Sequence, residues 1–200
     1  MSCFICNENG AYSCSICGRT VCTSHIRLSV VCVKCVKGRE PVKYSTRESK
    51  AEDSEIIGEL VKQFWGEEVQ EIFGIKFKVK DLPAFLAIVQ GKIVGFISFF
   101  ELNKKDILIV ALGVLPKYQG VGIGKALLRA VEDRARKLFK EKLLVSTSND
   151  DLLALAFYQL NDFQIYEAVP NAISRKHGRV LPGIGKIPIR DEIRLRKFIT

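Results

Sequence analysis

Residues 107–128 read ILIVALGVLPKYQGVGIGKALL. The first third, Ile107 to Val114, is apolar throughout, which predicts a strand buried on both faces at the centre of a sheet. The last third opens a predicted helix whose Leu127, Leu128, Val131, Ala135 and Leu138 recur at helical spacing and face inward. Between them Gly120, Gly122 and Gly124 place a turn at the helix N-terminus. Free backbone N–H groups and the positive end of the helix dipole meet there, and absent side chains let a phosphate approach closely. The glycine spacing is neither the G-x-G-x-x-G of a dinucleotide turn nor the G-x4-G-K-S/T of a P-loop.

Working outward, residues 84–90 and 92–100 read as two strands joined by a tight turn at Gly91. Residues 51–55, AEDSE, open a helix with Ile56, Ile57, Leu60, Val61, Phe64 and Trp65 on one core-facing side. Residues 143–150 predict a further core strand, and residues 187–199 a final strand of alternating charge. The body therefore reads as an α/β (α+β) domain over residues 44–200.

The first 35 residues are of another kind. They hold all seven cysteines of the chain, paired as Cys3/Cys6, Cys14/Cys17 and Cys32/Cys35, with Cys22 paired to His25. Eight soft ligands at this spacing fit two four-coordinate Zn²⁺ ions with no coordination position left open, so the module reads as structural or as a recognition surface, not as a catalytic metal site. The odd cysteine count and the histidine partner argue against disulfides. Two wirings are possible. A sequential one joins Cys3, Cys6, Cys14 and Cys17. An interleaved one joins Cys3, Cys6, Cys22 and His25 on one ion, and Cys14, Cys17, Cys32 and Cys35 on the other. The short gap from Cys17 to Cys22 favours interleaving. The predicted boundaries are 1–38 for this module and 39–43 for a linker.

Of 200 residues, 48 % are hydrophobic and 26 % charged, enough for a folded core in the body. The N-terminus lacks a signal pattern and no apolar run suits a membrane helix, so a cytoplasmic protein is expected. The formal charge of +9 sits at the two ends, while residues 51–169 are close to neutral. Basic ends admit attraction to nucleic acid, but few aromatics accompany them.

Gln119-x-x-Gly122-x-Gly124, with LGVLPKYQG leading into it, resembles the acetyl-CoA motif of the GCN5-related N-acetyltransferase (GNAT) superfamily. Residues 149–163, NDDLLALAFYQLNDF, resemble its second cofactor segment, with Asp162 where that family usually has glycine. Residues 12–26, YSCSICGRTVCTSHI, resemble cross-brace zinc fingers of the AN1, HIT and B-box types, families that mostly bind proteins. The resemblance implies a mixed central sheet flanked by helices and splayed at its centre, with the pantetheine arm in the gap. It implies backbone pairing of Leu112, Gly113 and Val114 with pantetheine. It also implies a pyrophosphate cradle from the amides of Gly120, Val121, Gly122, Ile123, Gly124 and Lys125. Asn149, or Asp151, would stand by the pantetheine arm, and Tyr158 would protonate the departing thiolate. Gln119 reads as a turn-stabilising residue.

Relatives often carry a glutamate base on the central strand, and residues 107–114 hold no carboxylate. Glu101, Asp106 and an exposed His177 are the candidates, with a water relay as the alternative. Residues 170–188 would select the acceptor. The expected activity is acetyl transfer from acetyl-CoA to a primary amine, with the zinc module docking a protein partner. The alternative is a non-catalytic, CoA-binding zinc-finger adaptor.

Overall fold

Tight turns between long apolar runs force neighbouring runs to pair, and one sheet follows from them. The computed structural model describes residues 2–10, 12–13, 19–25, 42–183 and 186–199. The chain divides into two compact units, Met1–Val42 and Lys43–Thr200. Most of the 39–43 segment lies outside the described residues.

In the larger unit the elements run β1 (Ser45–Glu48), α1 (Ser54–Trp65), β2 (Val69–Ile72), β3 (Ile75–Lys78), β4 (Ala84–Val89), β5 (Lys92–Glu101) and β6 (Asp106–Val114). There follow α2 (Ile123–Lys137), β7 (Lys142–Ser148), α3 (Leu152–Gln159), β8 (Gln164–Val169), α4 (Ala172–His177), β9 (Leu181–Pro182), β10 (Pro188–Ile189) and β11 (Glu192–Phe198). Seven strands form the main sheet in the order β8-β11-β7-β6-β5-β4-β1. Every neighbouring pair is antiparallel except β6 and β7, which run parallel across the α2 crossover. This is the mixed, helix-flanked sheet expected from the sequence.

The parallel pairing is short. Asp106, Ile107 and Leu108 stand opposite Lys142, Leu143 and Leu144, and there it ends. On the other edge of β6, Ser98 faces Ala111 while Phe99 faces Ile109, so Val110 is one residue too many. A bulge of this kind bends its strand and adds twist. It lies just past the last parallel pair, and β6 parts from β7 there.

Alternation along the strands builds two buried faces. Phe96, Leu86 and Leu108 pack with Ile57, Leu60 and Val61 of α1 and with Phe77 of β3. Ile97, Ile107 and Ile109 take the alternate positions, and α2, which contacts β4, β5, β6 and β7, buries Ile123, Leu127, Leu128, Val131 and Ala135. The helix expected from residue 51 begins with a 3-10 turn, Ala51–Asp53, and becomes α-helical at Ser54. Its apolar side is narrower than predicted, because Ile56 and Trp65 are exposed. The final strand is interrupted at Arg190 and Asp191, whose N–H groups both donate to Asn149 Oδ1 at 2.9 Å. Asp162, in the place of the expected glycine, takes the left-handed conformation itself at φ 67°, a state short polar side chains tolerate. Among the described residues no helix is long and apolar enough to cross a membrane.

In the smaller unit, Tyr12–Ser13 pairs antiparallel with Thr20–Val21, and a 3-10 turn covers Thr23–His25. The Cys3 N–H donates to Glu8 O at 2.7 Å and the Asn7 N–H to Cys3 O at 2.8 Å, closing a knuckle around Cys3 and Cys6.

Candidate functional site

Where β6 leaves β7, a cavity of about 810 Å³ opens. Val110, Ala111 and Leu112 line one side, and Val145, Ser146, Thr147 and Ser148 the other. Past the bulge, this edge of β6 has no strand partner among the described residues, and its backbone there can pair with an extended ligand. Gly113 is buried, and a Cβ there would drive into the Phe64 ring, so α1 packs flush on the strand. The chain then turns. Gln119 Nε2 donates to Val114 O at 2.8 Å, which is the turn-stabilising role its position suggests. Gly120 and Gly122 take φ values of 77° and 95°, conformations that favour glycine. Gly122 caps α2 without a side-chain hydrogen bond, and no acidic residue occupies the first turn. The amides of Ile123, Gly124 and Lys125 thus stand at a helix start that favours an anion.

Tyr158 lines the cavity at 5 % exposure, wedged between Phe157 and Phe163 with ring centroids 5.3 Å away on each side. Burial, with Asp151 nearby, pushes its phenol well above the ordinary range, so it stays protonated at any working pH. Asp151 lines the cavity and caps α3, its carboxylate accepting from the Ala154 N–H at 2.9 Å. Asn149 is committed elsewhere. Besides the two amides above, its Nδ2 donates to Pro188 O at 2.9 Å, so it anchors the segment entering β11.

The base candidates separate clearly. Glu101 pairs with Lys140 at 2.9 Å and Asp106 with Lys142 at 3.4 Å, and neither lines the cavity. Asp106 sits at the closed end of β6, about 17 Å of extended chain from Ala111. His177 does line the cavity and is half-buried, not exposed as its basic loop suggested. Trp65 lines it too, at 40 % exposure. Two features had no sequence signal. One is the β2–β3 hairpin, whose Gln70, Glu71, Ile72 and Gly74 form part of the wall. The other is Glu192, a buried carboxylate on the same wall.

A family model described as the acetyltransferase (GNAT) family matches residues 50–163. The chain belongs to this family. It is 31 % identical over 150 residues to the uncharacterised protein YdhI of Bacillus subtilis, covering 72 % of this chain and 91 % of that one. Among solved structures, an IAA acetyltransferase from Bacillus cereus has a TM-score of 0.62 at 24 % identity, over 78 % of this chain and 99 % of that one. A GNAT family acetyltransferase from Elizabethkingia anophelis with acetyl-CoA bound has a TM-score of 0.59 at 21 % identity, over 80 % and 99 %. The larger unit is thus a GNAT acetyltransferase, an enzyme drawing its acyl group from acetyl-CoA.

The N-terminal unit of this acetyltransferase gathers Cys3, Cys6, Cys22 and His25, with ligand atoms all within 4.8 Å of one another. Cys6 Sγ lies 3.7 Å from Cys22 Sγ. His25 Nδ1 lies 3.7 Å from Cys3 Sγ and 3.2 Å from Cys22 Sγ. A tetrahedral Zn²⁺ with bonds of about 2.3 Å to sulfur and 2.05 Å to nitrogen sets its sulfurs about 3.8 Å apart and S···N pairs about 3.6 Å apart. The donor set and its spacing are therefore compatible with a zinc site. The grouping is that of the interleaved wiring. The partner set, Cys14, Cys17, Cys32 and Cys35, lies outside the described residues.

Proposed function

We propose that this acetyltransferase moves the acetyl group of acetyl-CoA onto a primary amine in the β6–β7 cleft. The observation that carries the reading is the cleft itself: an unpaired backbone edge leads directly into a glycine turn that opens a helix. In this reading Leu112, Gly113 and Val114 pair with the pantetheine arm, and the amides of Gly120 to Lys125 hold the pyrophosphate. The neutral amine attacks the thioester carbonyl, the C–S bond breaks, and the nitrogen must lose a proton. His177 is the candidate base that lines the cleft, directly or through water, and imidazole is suited to that work near neutral pH. Tyr158 donates to the departing sulfur. Its phenol is held in the protonated form by burial and so carries the proton it is to give.

Thiol release from acetyl-CoA with a panel of amines tests this. Tyr158→Phe is expected to lower kcat by about tenfold or more, with little loss of stability. His177→Gln is expected to lower kcat by about tenfold or more. Calorimetry showing no heat with acetyl-CoA would sink the reading, and binding without turnover would favour the adaptor alternative. The N-terminal unit, in the same proposal, binds zinc through Cys3, Cys6, Cys22 and His25 and docks a protein partner. Deleting residues 1–38 should then leave turnover of a small amine intact and lower it only for a protein acceptor.

A further inference from the structure

We propose that Glu192 is a positioning residue that latches the β2–β3 hairpin as the acceptor-side wall of the cleft, so that the hairpin takes part in acceptor selection. Glu192 is 8 % exposed. Its Oε1 accepts from the Phe73 N–H at 3.0 Å and from the Ser146 hydroxyl at 2.7 Å. Its Oε2 accepts from Arg194 Nε at 3.1 Å and Nη2 at 2.9 Å. Four donors fill about four lone-pair sites, the capacity of a carboxylate. No site remains for an amine proton, so Glu192 is not the missing base, although it is the most buried carboxylate lining the cleft.

The hairpin tip shows what the latch holds. Phe73 and Gly74 have φ values of 55° and 74° and form the two-residue turn between the paired Ile72 and Ile75. Such turns favour Asn-Gly or Asp-Gly, and a bulky residue there is strained. The contacts that offset the strain are the Glu192 bond and the Arg194 guanidinium, whose carbon lies 4.4 Å from the Phe73 ring centroid. The hairpin forms a two-stranded sheet of its own, apart from the main one. Among the described residues, the Phe73 N–H to Glu192 is the hydrogen bond that ties it to the main sheet.

Placement gives the latch its role. Phe77 of the hairpin packs with α1 on one face of the sheet, while the glycine turn opens the helix that covers the other face. A carrier held at that turn enters from the α2 side, and the hairpin then fronts the opposite mouth, where an acceptor arrives. This last step rests on the acetyl-transfer reading above.

Hydrogen exchange on the full-length protein with Glu192→Gln tests the latch without any acceptor. Glutamine keeps one acceptor oxygen and turns an N–H₂ toward the other donors. Exchange over residues 69–78 is expected to rise about tenfold, with residues 106–114 and 142–148 unchanged. Ser146→Ala leaves the Phe73 bond in place and should leave hairpin exchange as it is. Acetyl-CoA binding by calorimetry should stay within about twofold of the parent, while KM for whichever panel amine turns over rises about tenfold and kcat changes less than about threefold. Should Glu192→Gln fail to fold, Arg194→Ala is expected to loosen the same segment to a smaller degree. Unchanged hairpin exchange overturns the proposal, as does a uniform rise across the whole sheet. A parent enzyme that releases thiol with no amine in the panel refutes the transfer reading instead, and the exchange data still decide the latch.

Discussion

The two units of this chain solve the same problem by different physics. Among the described residues of the smaller one, the buried apolar side chains are Cys3, Val21 and Cys22, two of which are ligands of the four-donor cluster. The larger one buries whole strands: β6 is covered on both faces, and Phe96, Leu86, Leu108 and Val61 are out of water. A segment of about 40 residues cannot offset its chain entropy by apolar burial alone, whereas one of about 150 can. On the zinc proposed above, one unit is expected to stand or fall with a metal, the other with its packing.

The strongest way to break this contrast is to remove the zinc proposed for the smaller unit. A structural zinc is worth on the order of 10 kcal/mol to such a module. If the cluster holds the proposed zinc, chelation, or Cys22→Ser, is expected to release it and unfold the described residues around Cys3, Cys6, Cys22 and His25, while the main melting transition moves by less than about 2 °C. Elemental analysis and calorimetric melting read the two arms, and a collapse of both units together would show that they are not independent. Phe96→Ala is the converse experiment. The ring is fully buried and lies 6.4 Å from Phe64 and 6.2 Å from Trp65. Its loss should destabilise the body by about 3–5 kcal/mol in denaturant titration with metal content unchanged.

Gly122→Val sharpens the contrast within the larger unit. A β-branched residue at φ 95° is strained, and relieving that strain would turn the amides of the helix start out of place. Calorimetry should show acetyl-CoA affinity falling about a hundredfold, out of proportion to the drop in melting temperature. The smallest effect concerns acid. Asp53 accepts from Arg47 at 2.6 and 2.8 Å and from the Lys50 N–H at 2.7 Å. Its hydrogen bonds to Arg47 are the main cause holding its carboxyl down at about 2. A depressed carboxyl contributes fully above its unfolded value of about 3.9, and the contribution fades as pH falls toward about 2. Asp53→Asn should therefore cost about 2 kcal/mol at neutral pH and flatten the loss of stability between pH about 4 and 2. An identical acid profile in parent and variant would remove this pair from the account.

What could be read from the sequence was local. The glycine turn, the strands on either side of Gly91 and the inward positions of α2 are written within one or two turns of chain. The grouping of Cys3, Cys6, Cys22 and His25 followed from spacing, because short chain segments restrict which ligands can meet. What could not be read was set at long range or ran against local preference. Phe73-Gly74 is not a usual hairpin signal, so residues 69–78 gave no strand reading. Glu192 meets Phe73 across 119 residues, a distance no periodicity encodes. Glu101 and Asp106 looked close to the chemistry because they flank the central strand, but the opening lies at that strand's other end. His177 was placed at the surface by its basic neighbours, and the fold brings it to the cleft.

The seam between β6 and β7 has three rungs, after which the two arms part. The molecule therefore works like a pair of tongs whose bite is set at the rivet. Leu108 and Leu144, at the last rung, are both buried in the core, and neither lines the cleft that opens beyond them. A change of volume at that rung is expected to alter the grip on a passing substrate while every residue lining the cleft stays the same.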